Sequence, residues 1–224
     1  MDICRYLDHA VLMPGMSRGE TENAIMVGVE YGVRTVCVRP CDIALARKIC
    51  ADTQTGVCCV LDFPHGTGSA EGKEALARIY IDQGAAEIDM VMNYGFALSG
   101  MWDAVEDEVG RVVRRAHLSG ALVKVIFETS EWPLGLIVRG VEACVSAGAD
   151  FVKTSTGFSR YGATEEVVGK MLLAARERIY VKPSGGIRDY MTAQKYVAMG
   201  CARLGVGYNS TPVICKGEGS EILQ

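Results

Sequence analysis

Long apolar runs and an excess of basic residues are both missing from this sequence of 224 residues. No stretch reaches the roughly 18 consecutive apolar residues that a transmembrane helix needs, so the chain is not expected to cross a membrane. The formal net charge is −4, which lacks the basic bias that attracts a nucleic-acid backbone. We therefore expect neither a membrane nor a nucleic acid as a partner.

Metal-ligand patterns are missing too. The three histidines, His9, His65 and His117, do not stand at zinc-binding spacing, and there is no HExxH motif and no pair of CxxC units. The 9 cysteines are scattered, and no secretory leader precedes them. These absences predict no metal, no other cofactor, and reduced thiols in the cytoplasm.

Short β-branched runs alternate with longer helical patterns along the whole chain. The predicted strands cover residues 6–12, 35–39, 57–63, 87–93, 122–128, 151–155, 180–184 and 203–206. The predicted helices cover residues 18–31, 42–53, 69–84, 101–119, 133–147, 164–177 and 189–199, and a further short element follows Asn209.

Capping signals support several of these helix boundaries. Thr164 stands before Glu165 and Glu166, which gives an N-cap and an acidic first turn. Asp189 is placed to cap the seventh helix in the same way. Gly120 follows the fourth helix, where a glycine takes the left-handed conformation at no steric cost.

Eight strands separated by helices predict a parallel sheet with right-handed crossovers, and a chain of this length closes such a sheet into a (β/α)8 TIM barrel. An open doubly wound sheet is the alternative. Similar turns at 84–86, 148–150 and 200–202 lead into strands of similar length, and no GxGxxG opens the first helix, which favours the barrel. We expect one α/β domain over residues 1–224.

Three Val-Lys pairs recur at equal intervals and give Lys124, Lys153 and Lys182, each within a predicted strand. Alternation along a strand places these side chains on the face opposite Val152 and Val181, which points them into the barrel. Ammonium groups on neighbouring strands disfavour each other's charge, so one of Lys153 and Lys182 should titrate low and serve as a Schiff-base nucleophile. The alternative is that these lysines are solvated or paired with carboxylates.

A carboxylate and several glycines complete the predicted site. Asp89 lies in mid-strand, where it is either a proton carrier or a counter-ion for the lysines. Gly157, Gly185 and Gly186 follow strands six and seven, at the end of a barrel where backbone N–H groups often bind phosphate. With Arg188 close behind, they predict an anionic substrate.

Specific motifs then resemble those of the deoxyribose-phosphate aldolase family, over nearly the full length. The matching stretches are YLDHAVL (6–12), VCVRP (36–40), DFPHG (62–66), EIDMVMNYG (87–95), KVIFET (124–129), GADFVKTSTGF (148–158), GATEEVV (162–168) and VKPSGGIRD (181–189). The resemblance implies a class I aldolase on a TIM barrel. It also implies reversible cleavage of 2-deoxyribose 5-phosphate to acetaldehyde and glyceraldehyde 3-phosphate without a metal.

The resemblance also implies catalytic roles for three residues. Lys153 in KTSTGF would form the Schiff base, and Lys182 in VKPSGGIR would be the neighbour that lowers the basicity of Lys153 and helps to move protons. Asp89 in EIDMV would donate and accept protons together with Lys182 and a bound water.

Substrate-binding roles follow from the same resemblance. The backbone amides of Gly157, Gly185 and Gly186 would meet the substrate phosphate, and Asp8 and Lys124 would line the pocket. Relatives are often homodimers, so we expect a homo-oligomer, a dimer.

One departure concerns the stretch after strand eight, where the family usually carries a pair of phosphate-binding serines. This chain has Gly205, Val206, Gly207 and Tyr208 there, so two hydroxyl donors are absent. Three alternatives stay open. They are a related aldolase that prefers unphosphorylated or other aldehyde acceptors, a Schiff-base aldolase with another donor, and a barrel that binds ligands without turnover.

Overall fold

The computed structural model describes residues 2–217, in which eight parallel strands form one barrel with helices between them. The strands are β1 (Leu7–Val11), β2 (Thr35–Val38), β3 (Gly56–Leu61), β4 (Glu87–Val91), β5 (Leu122–Ile126), β6 (Phe151–Lys153), β7 (Tyr180–Lys182) and β8 (Leu204–Gly207). They are hydrogen-bonded in the order β7-β6-β5-β4-β3-β2-β1-β8. The predicted (β/α)8 TIM barrel is confirmed, and each strand lies within one or two residues of a predicted one.

The barrel closes between β7 and β8. Ser184 and Gly205 form a parallel bridge, and the Gly205 N–H donates to the Pro183 carbonyl at 2.9 Å. A Cβ atom added at Gly205 would lie 2.5 Å from the Ser184 Cβ, closer than the two chains tolerate. Glycine at position 205 is therefore a requirement of closure, because only a residue without a side chain allows this approach.

The helices confirm the predicted alternation. They are α1 (Arg18–Glu30), α2 (Ile43–Cys50), α3 (Ala70–Asp82), α4 (Tyr94–Leu98), α5 (Trp102–His117), α6 (Ile137–Ser146), α7 (Glu165–Ala175), α8 (Tyr190–Ala198) and α9 (Thr211–Cys215). Helix α4 was not predicted, because its single turn is too short to carry an amphipathic pattern. Helix α9 is the short element expected after Asn209.

The predicted caps are present. The Thr164 side chain accepts from the Val167 N–H at 3.3 Å, and the Asp189 side chain accepts from the Thr192 N–H at 2.8 Å. Gly120 has a φ of 71°, which is the left-handed conformation expected after α5. Helix α6 begins later than predicted, since a 3-10 helix (Leu134–Leu136) comes between Pro133 and its first turn.

The main apolar core lies between the outside of the barrel and the helices. Val152 and Val181 belong to this core, as their alternation with the lysines predicted. A smaller apolar cluster fills part of the barrel interior and consists of Leu12, Cys37, Cys58 and Val60. The rest of the interior is polar, and Lys153 pairs directly with Lys182 in the β6–β7 register.

A disulfide joins the two ends of the described chain. It links Cys4 to Cys215 in α9, with the two Cα atoms 5.6 Å apart. The expectation that all thiols are reduced is therefore wrong for this pair, because sequence spacing does not reveal that residues 211 positions apart meet when the barrel closes. Within residues 2–217, none of the helices has the length and apolarity to cross a bilayer.

Candidate active site

Lys153 is the last residue of β6 and reaches the cavity at the carboxyl ends of the strands. The cavity has a volume of about 480 Å³, and its walls come from β1, β8 and the loops that follow β6, β7 and β8. Lys153 is 4% exposed, so its side chain is almost completely shielded from solvent although it lines the cavity.

Asp89 holds the three lysines together. Its Oδ2 atom lies 2.7 Å from the Lys153 Nζ and 2.6 Å from the Lys182 Nζ, and its Oδ1 atom lies 2.8 Å from the Lys124 Nζ. The Cys58 thiol also donates to Oδ1, at 3.1 Å. Burial opposes ionisation of Asp89, but the three ammonium groups hold the pKa of its carboxyl well below the usual range.

Lys182 lies behind Lys153 and is fully enclosed. Its Nζ is 2.5 Å from Asp8 Oδ2 and 2.6 Å from Asp89 Oδ2. Burial disfavours its charge, yet the two carboxylates outweigh burial and raise the pKa of Lys182 above its ordinary value. Of the two lysines expected to compete for a proton, Lys182 is therefore the one that keeps it. A neutral Lys153 stays a prediction.

A second polar layer fills the barrel below Asp89. Lys124 lies 2.5 Å from Glu87 Oε2 and 3.3 Å from Asp8 Oδ2, and Arg203 lies 2.6 Å from Asp8 Oδ1 and 2.9 Å from Glu87 Oε2. The Thr35 hydroxyl donates to Asp8 Oδ1 at 2.6 Å. The pKa of Asp8 is lowered, because Lys124, Lys182 and Arg203 together outweigh the effect of burial.

Asp8 and Lys124 belong to this layer, and their positions differ from the expected ones. Both are fully buried, and neither lines the cavity that Lys153 reaches. The resemblance implied that Asp8 and Lys124 line the pocket, but in the structure they lie beneath it. Asp8 and Lys124 instead contact Lys182 and Asp89 from below and fix them by charge.

The charges of the two layers are unequal in number. The carboxylates are Asp8, Glu87 and Asp89, and the cationic side chains are Lys124, Lys153, Lys182 and Arg203. A buried excess of positive charge is costly unless one group gives up its proton. Among these four cations only Lys153 lines the cavity.

Three glycines form a cradle at the far end of the cavity. Gly157, Gly185 and Gly186 line the cavity with φ values of 84°, 80° and 83°, which glycine adopts without strain. Within residues 2–217, none of their three N–H groups donates to another group of the protein. Arg188 lines the same end and is exposed. Unpaired backbone donors beside a cation suit an anion.

Much of the remaining cavity lining is apolar. Leu12, Met13, Phe158 and Tyr208 contribute to it, and the Phe158 ring lies edge-on to Phe63 with the ring centroids 5.2 Å apart. Gly207 also lines the cavity, where it offers no hydroxyl. The departure noted after strand eight therefore falls on the wall of this cavity.

Sequence reasoning missed four charged residues around the site. Glu87 and Arg203 belong to the lower layer, and Glu87 was detectable because it shares a strand face with Asp89. Glu128 is buried beside the loop after β6. Lys73 in α3 is 1% exposed and donates to the carbonyls of Gly66 and Val91, which ties together the loops after β3 and β4. No periodic pattern marks the contacts of Arg203, Glu128 and Lys73.

Three buried groups offer a possible set of metal ligands. The Cys37 and Cys58 sulfurs and a carboxylate oxygen of Asp89 lie within 4.8 Å of one another. Both oxygens of Asp89 already contact ammonium groups, so a cation would have to displace lysines to bind there. The charge of the surroundings therefore opposes a metal at this position.

Comparisons with known proteins agree on one family. The model of the DeoC/LacD family aldolase matches residues 4–206. The deoxyribose-phosphate aldolase of Caldanaerobacter subterraneus subsp. tengcongensis is 40% identical over 206 residues, which cover 92% of this chain and 89% of that protein. The one from Bacillus cereus (strain AH820) is 37% identical over 220 residues, which cover 98% of each.

A solved structure also has a closely similar fold. The deoxyribose phosphate aldolase from Aeropyrum pernix, described as a unique tetramer, matches with a TM-score of 0.87 and 29% identity. The match covers 96% of this chain and 89% of that chain.

Proposed function

Because this chain belongs to the DeoC/LacD family of aldolases, we propose that it cleaves 2-deoxy-D-ribose 5-phosphate reversibly through a Schiff base on Lys153. The products are acetaldehyde and D-glyceraldehyde 3-phosphate, and the enzyme is a lyase. The observation that carries the proposal is that Lys153 is the one lysine of residues 2–217 that lines the cavity. Its amine lies 2.7 Å from the Asp89 carboxylate, which also contacts the Lys182 ammonium.

Cleavage begins when the unprotonated Lys153 amine attacks the aldehyde carbon of the open-chain sugar and water leaves. A base then takes the proton of the hydroxyl on the third carbon, and the bond between the second and third carbons breaks. Glyceraldehyde 3-phosphate departs, and the electron pair stays on Lys153 as an enamine. Protonation of the enamine carbon and hydrolysis release acetaldehyde and restore the amine.

We assign the proton transfers to Asp89, acting with Lys182 and a bound water. Asp89 Oδ2 contacts both Lys153 and Lys182, so it is within reach of protons that arrive at or leave the reacting nitrogen. The raised pKa of Lys182, which Asp8 and Asp89 cause against the effect of burial, keeps its ammonium charged beside Lys153. The ammonium of Lys182 and the amine that makes the attack therefore share the Asp89 Oδ2 atom.

The phosphate end of the substrate belongs in the glycine cradle. The N–H groups of Gly157, Gly185 and Gly186 are unpaired within the described chain, and Arg188 adds a positive charge at the same end. Backbone donors of this kind bind phosphate oxygens without any hydroxyl side chain.

Trapping of the Schiff base tests this function directly. The protein is treated with acetaldehyde and sodium borohydride, and the modified peptide is identified by mass spectrometry. We expect one N-ethyl group on Lys153 and none in a Lys153→Met variant that retains the wild-type melting temperature. An adduct confined to another lysine, or no adduct in an active preparation, contradicts the assignment.

A second candidate function is an aldolase that accepts unphosphorylated aldehydes nearly as well. Gly207 and Tyr208 stand where hydroxyl donors would meet phosphate, and the adjoining wall, with Leu12, Met13 and Phe158, is apolar. Two lost hydrogen bonds to a charged group weaken binding by roughly 1.5–3 kcal/mol each. Measuring kcat/KM for deoxyribose with and without its phosphate decides, and a preference for phosphate above about 10³-fold excludes this candidate.

We further propose that residues 1–224 act as one domain, that the protein works in the cytoplasm, where sugar phosphates are retained, and that it is a homodimer. One relative, from Aeropyrum pernix, is described as a tetramer. Sedimentation equilibrium distinguishes a dimer from a tetramer or a monomer.

A further inference from the structure

Glu128 lies two residues beyond the end of β5 in an unusual conformation. Its φ and ψ are 57° and 62°, the left-handed region that residues other than glycine seldom adopt. Such strain persists where the surroundings require it, and it concentrates at functional sites. The side chain is 3% exposed, and no cation forms an ion pair with its carboxylate within residues 2–217.

The partner of this buried carboxylate is Thr156. The Thr156 hydroxyl donates to Glu128 Oε2, and the Thr156 backbone N–H points to both carboxylate oxygens at 3.4 Å. The Thr156 hydroxyl oxygen in turn accepts from the Phe158 N–H at 3.0 Å. The Glu128 carboxylate thus sets the direction of both donors of Thr156. The hydroxyl oxygen of Thr156 in turn fixes the backbone of Phe158.

These contacts fix the segment that follows the Schiff-base lysine. Thr156, Gly157 and Phe158 all line the cavity, and the N–H of Gly157 is one of the three unpaired donors of the cradle. Gly157 has a φ of 84°, the left-handed region. Because Glu128 holds the residue before Gly157, and Thr156 holds the residue after it, the direction of the Gly157 N–H depends on Glu128.

A neighbouring carboxylate provides a contrast. Glu131 belongs to the same 3-10 turn, but it accepts from Ser130 and Ser159 and lies 3.6 Å from Arg160 on a more exposed surface. It makes no contact with Thr156. Burial raises the pKa of the Glu128 carboxyl, while the bonds from Thr156 and the nearby Lys153 charge act in the opposite direction.

We propose that Glu128 is a positioning residue for the phosphate-bearing part of the substrate, which it serves by orienting Thr156 and the Gly157 N–H. The proposal rests on the proposed function, because it takes the cradle as the phosphate site. Glu128 does not touch the Lys153 amine. Because it makes no hydrogen bond or ion pair to Lys153 within residues 2–217, its loss should weaken binding of the phosphorylated part far more than Schiff-base formation.

Three variants and two readouts test this. Glu128→Ala removes the carboxylate, Glu128→Gln keeps an oxygen that accepts from the Thr156 hydroxyl, and Glu131→Ala is the matched control. The first readout is KM and kcat for deoxyribose 5-phosphate cleavage. The second is the rate at which acetaldehyde alone is trapped on Lys153, since acetaldehyde has no phosphate to place.

We expect Glu128→Ala to raise KM for deoxyribose 5-phosphate by about 10- to 100-fold, by analogy with the loss of a residue that orients a metal ligand. Trapping on Lys153 should keep the wild-type rate. Glu128→Gln should recover much of the affinity, and Glu131→Ala should match the wild type in both readouts. Melting temperatures identify any variant that fails to fold. If Glu128→Ala does not fold, Glu128→Gln, which preserves the shape of the side chain, tests the proposal, and its KM should then show a smaller rise over that of the wild type.

Several outcomes overturn the proposal. They are an unchanged KM in Glu128→Ala, an equal loss in Glu131→Ala, or a trapping rate that falls as far as affinity does. Failure of the wild type itself to trap acetaldehyde or to cleave the substrate overturns the proposed function instead, so the two failures are distinguishable.

Discussion

At the scale of single residues, the site is defined by how one carboxylate is shared. Asp89 contacts Lys124, Lys153 and Lys182, so it provides the counter-charge for all three lysines as well as the predicted proton carrier. A buried carboxylate with three cationic neighbours stays ionised, which its strongly lowered pKa expresses. The same geometry makes Asp89 the residue whose loss should affect both chemistry and folding.

Asp89→Asn keeps the shape of the side chain and removes its charge. We expect cleavage of deoxyribose 5-phosphate to fall by about 10²- to 10⁴-fold, the usual contribution of a general acid–base. We also expect a lower free energy of unfolding, because removing one partner from a buried ion network typically destabilises the folded protein by about 3–5 kcal/mol. Steady-state kinetics and urea denaturation measure the two effects.

Asp107→Asn is the control for this substitution, since Asp107 pairs with Arg111 on the exposed face of α5. Its activity should equal that of the wild type, and its stability should change by at most about 0.5 kcal/mol. If Asp89→Asn retained more than about a tenth of the wild-type rate, Asp89 would not carry the proton transfer.

At the scale of secondary-structure elements, β1 is joined to two helices by one buried histidine. His9 Nε2 lies 2.8 Å from the Ala24 carbonyl in α1, and His9 Nδ1 lies 2.8 Å from the Thr211 hydroxyl in α9. A carbonyl only accepts, so Nε2 carries the proton and Nδ1 accepts from Thr211. Burial lowers the pKa of His9 to about 4, which keeps this arrangement neutral in the folded protein.

This histidine makes stability depend on pH. Its pKa is about 4 when folded and roughly 6.5 when unfolded. Between these values the unfolded chain binds the extra proton, so the free energy of unfolding falls as pH decreases. From pH 7 to pH 5 we expect His9 to account for a loss of about 2 kcal/mol, measured by urea denaturation at both values.

The comparison variant is His9→Gln, whose amide neither titrates nor reproduces both contacts. It should be less stable than the wild type at pH 7, but its own loss between pH 7 and pH 5 should be smaller by about 2 kcal/mol. Acidic groups elsewhere titrate alike in both proteins and cancel in the difference. Equal losses in the two proteins would mean that His9 is not kept neutral by the fold.

At the scale of the whole molecule, the Cys4–Cys215 disulfide connects the 3-10 helix Ile3–Tyr6 to α9. The 3-10 helix leads into β1, α9 follows β8, and β1 pairs with β8, so the bond joins the segments that flank this strand pair. Helix α9 directly follows Tyr208 and the other cavity residues after β8. The bond therefore also limits movement of one wall of the candidate active site.

A Cys215→Ser variant should lose about 2–4 kcal/mol of unfolding free energy relative to the oxidised wild type, because the cross-link restricts the unfolded chain. Guanidinium denaturation with and without dithiothreitol measures this. The reductant should lower the midpoint of the wild type and leave that of Cys215→Ser unchanged. A wild-type midpoint that the reductant leaves unchanged would mean that the two thiols are not bonded in solution.

The sequence by itself determined the barrel and the identity of the three lysines and Asp89. Alternation along β6 and β7 has a period of two residues, so Lys153 and Lys182 had to share the face opposite Val152 and Val181. Eight such strands separated by helices left little choice of topology. These features are local, and local patterns are written directly in the order of residues.

Only the tertiary structure decided which groups balance the lysines. Arg203 contacts Asp8 and Glu87 across the barrel, and Glu128 reaches Thr156 from the end of the neighbouring strand. The disulfide likewise depends on closure. Such contacts join residues far apart in sequence, and their energies depend on burial and distance, which no sequence period encodes. The physical reason is that charge balance in a dry interior belongs to the assembled barrel rather than to any one segment.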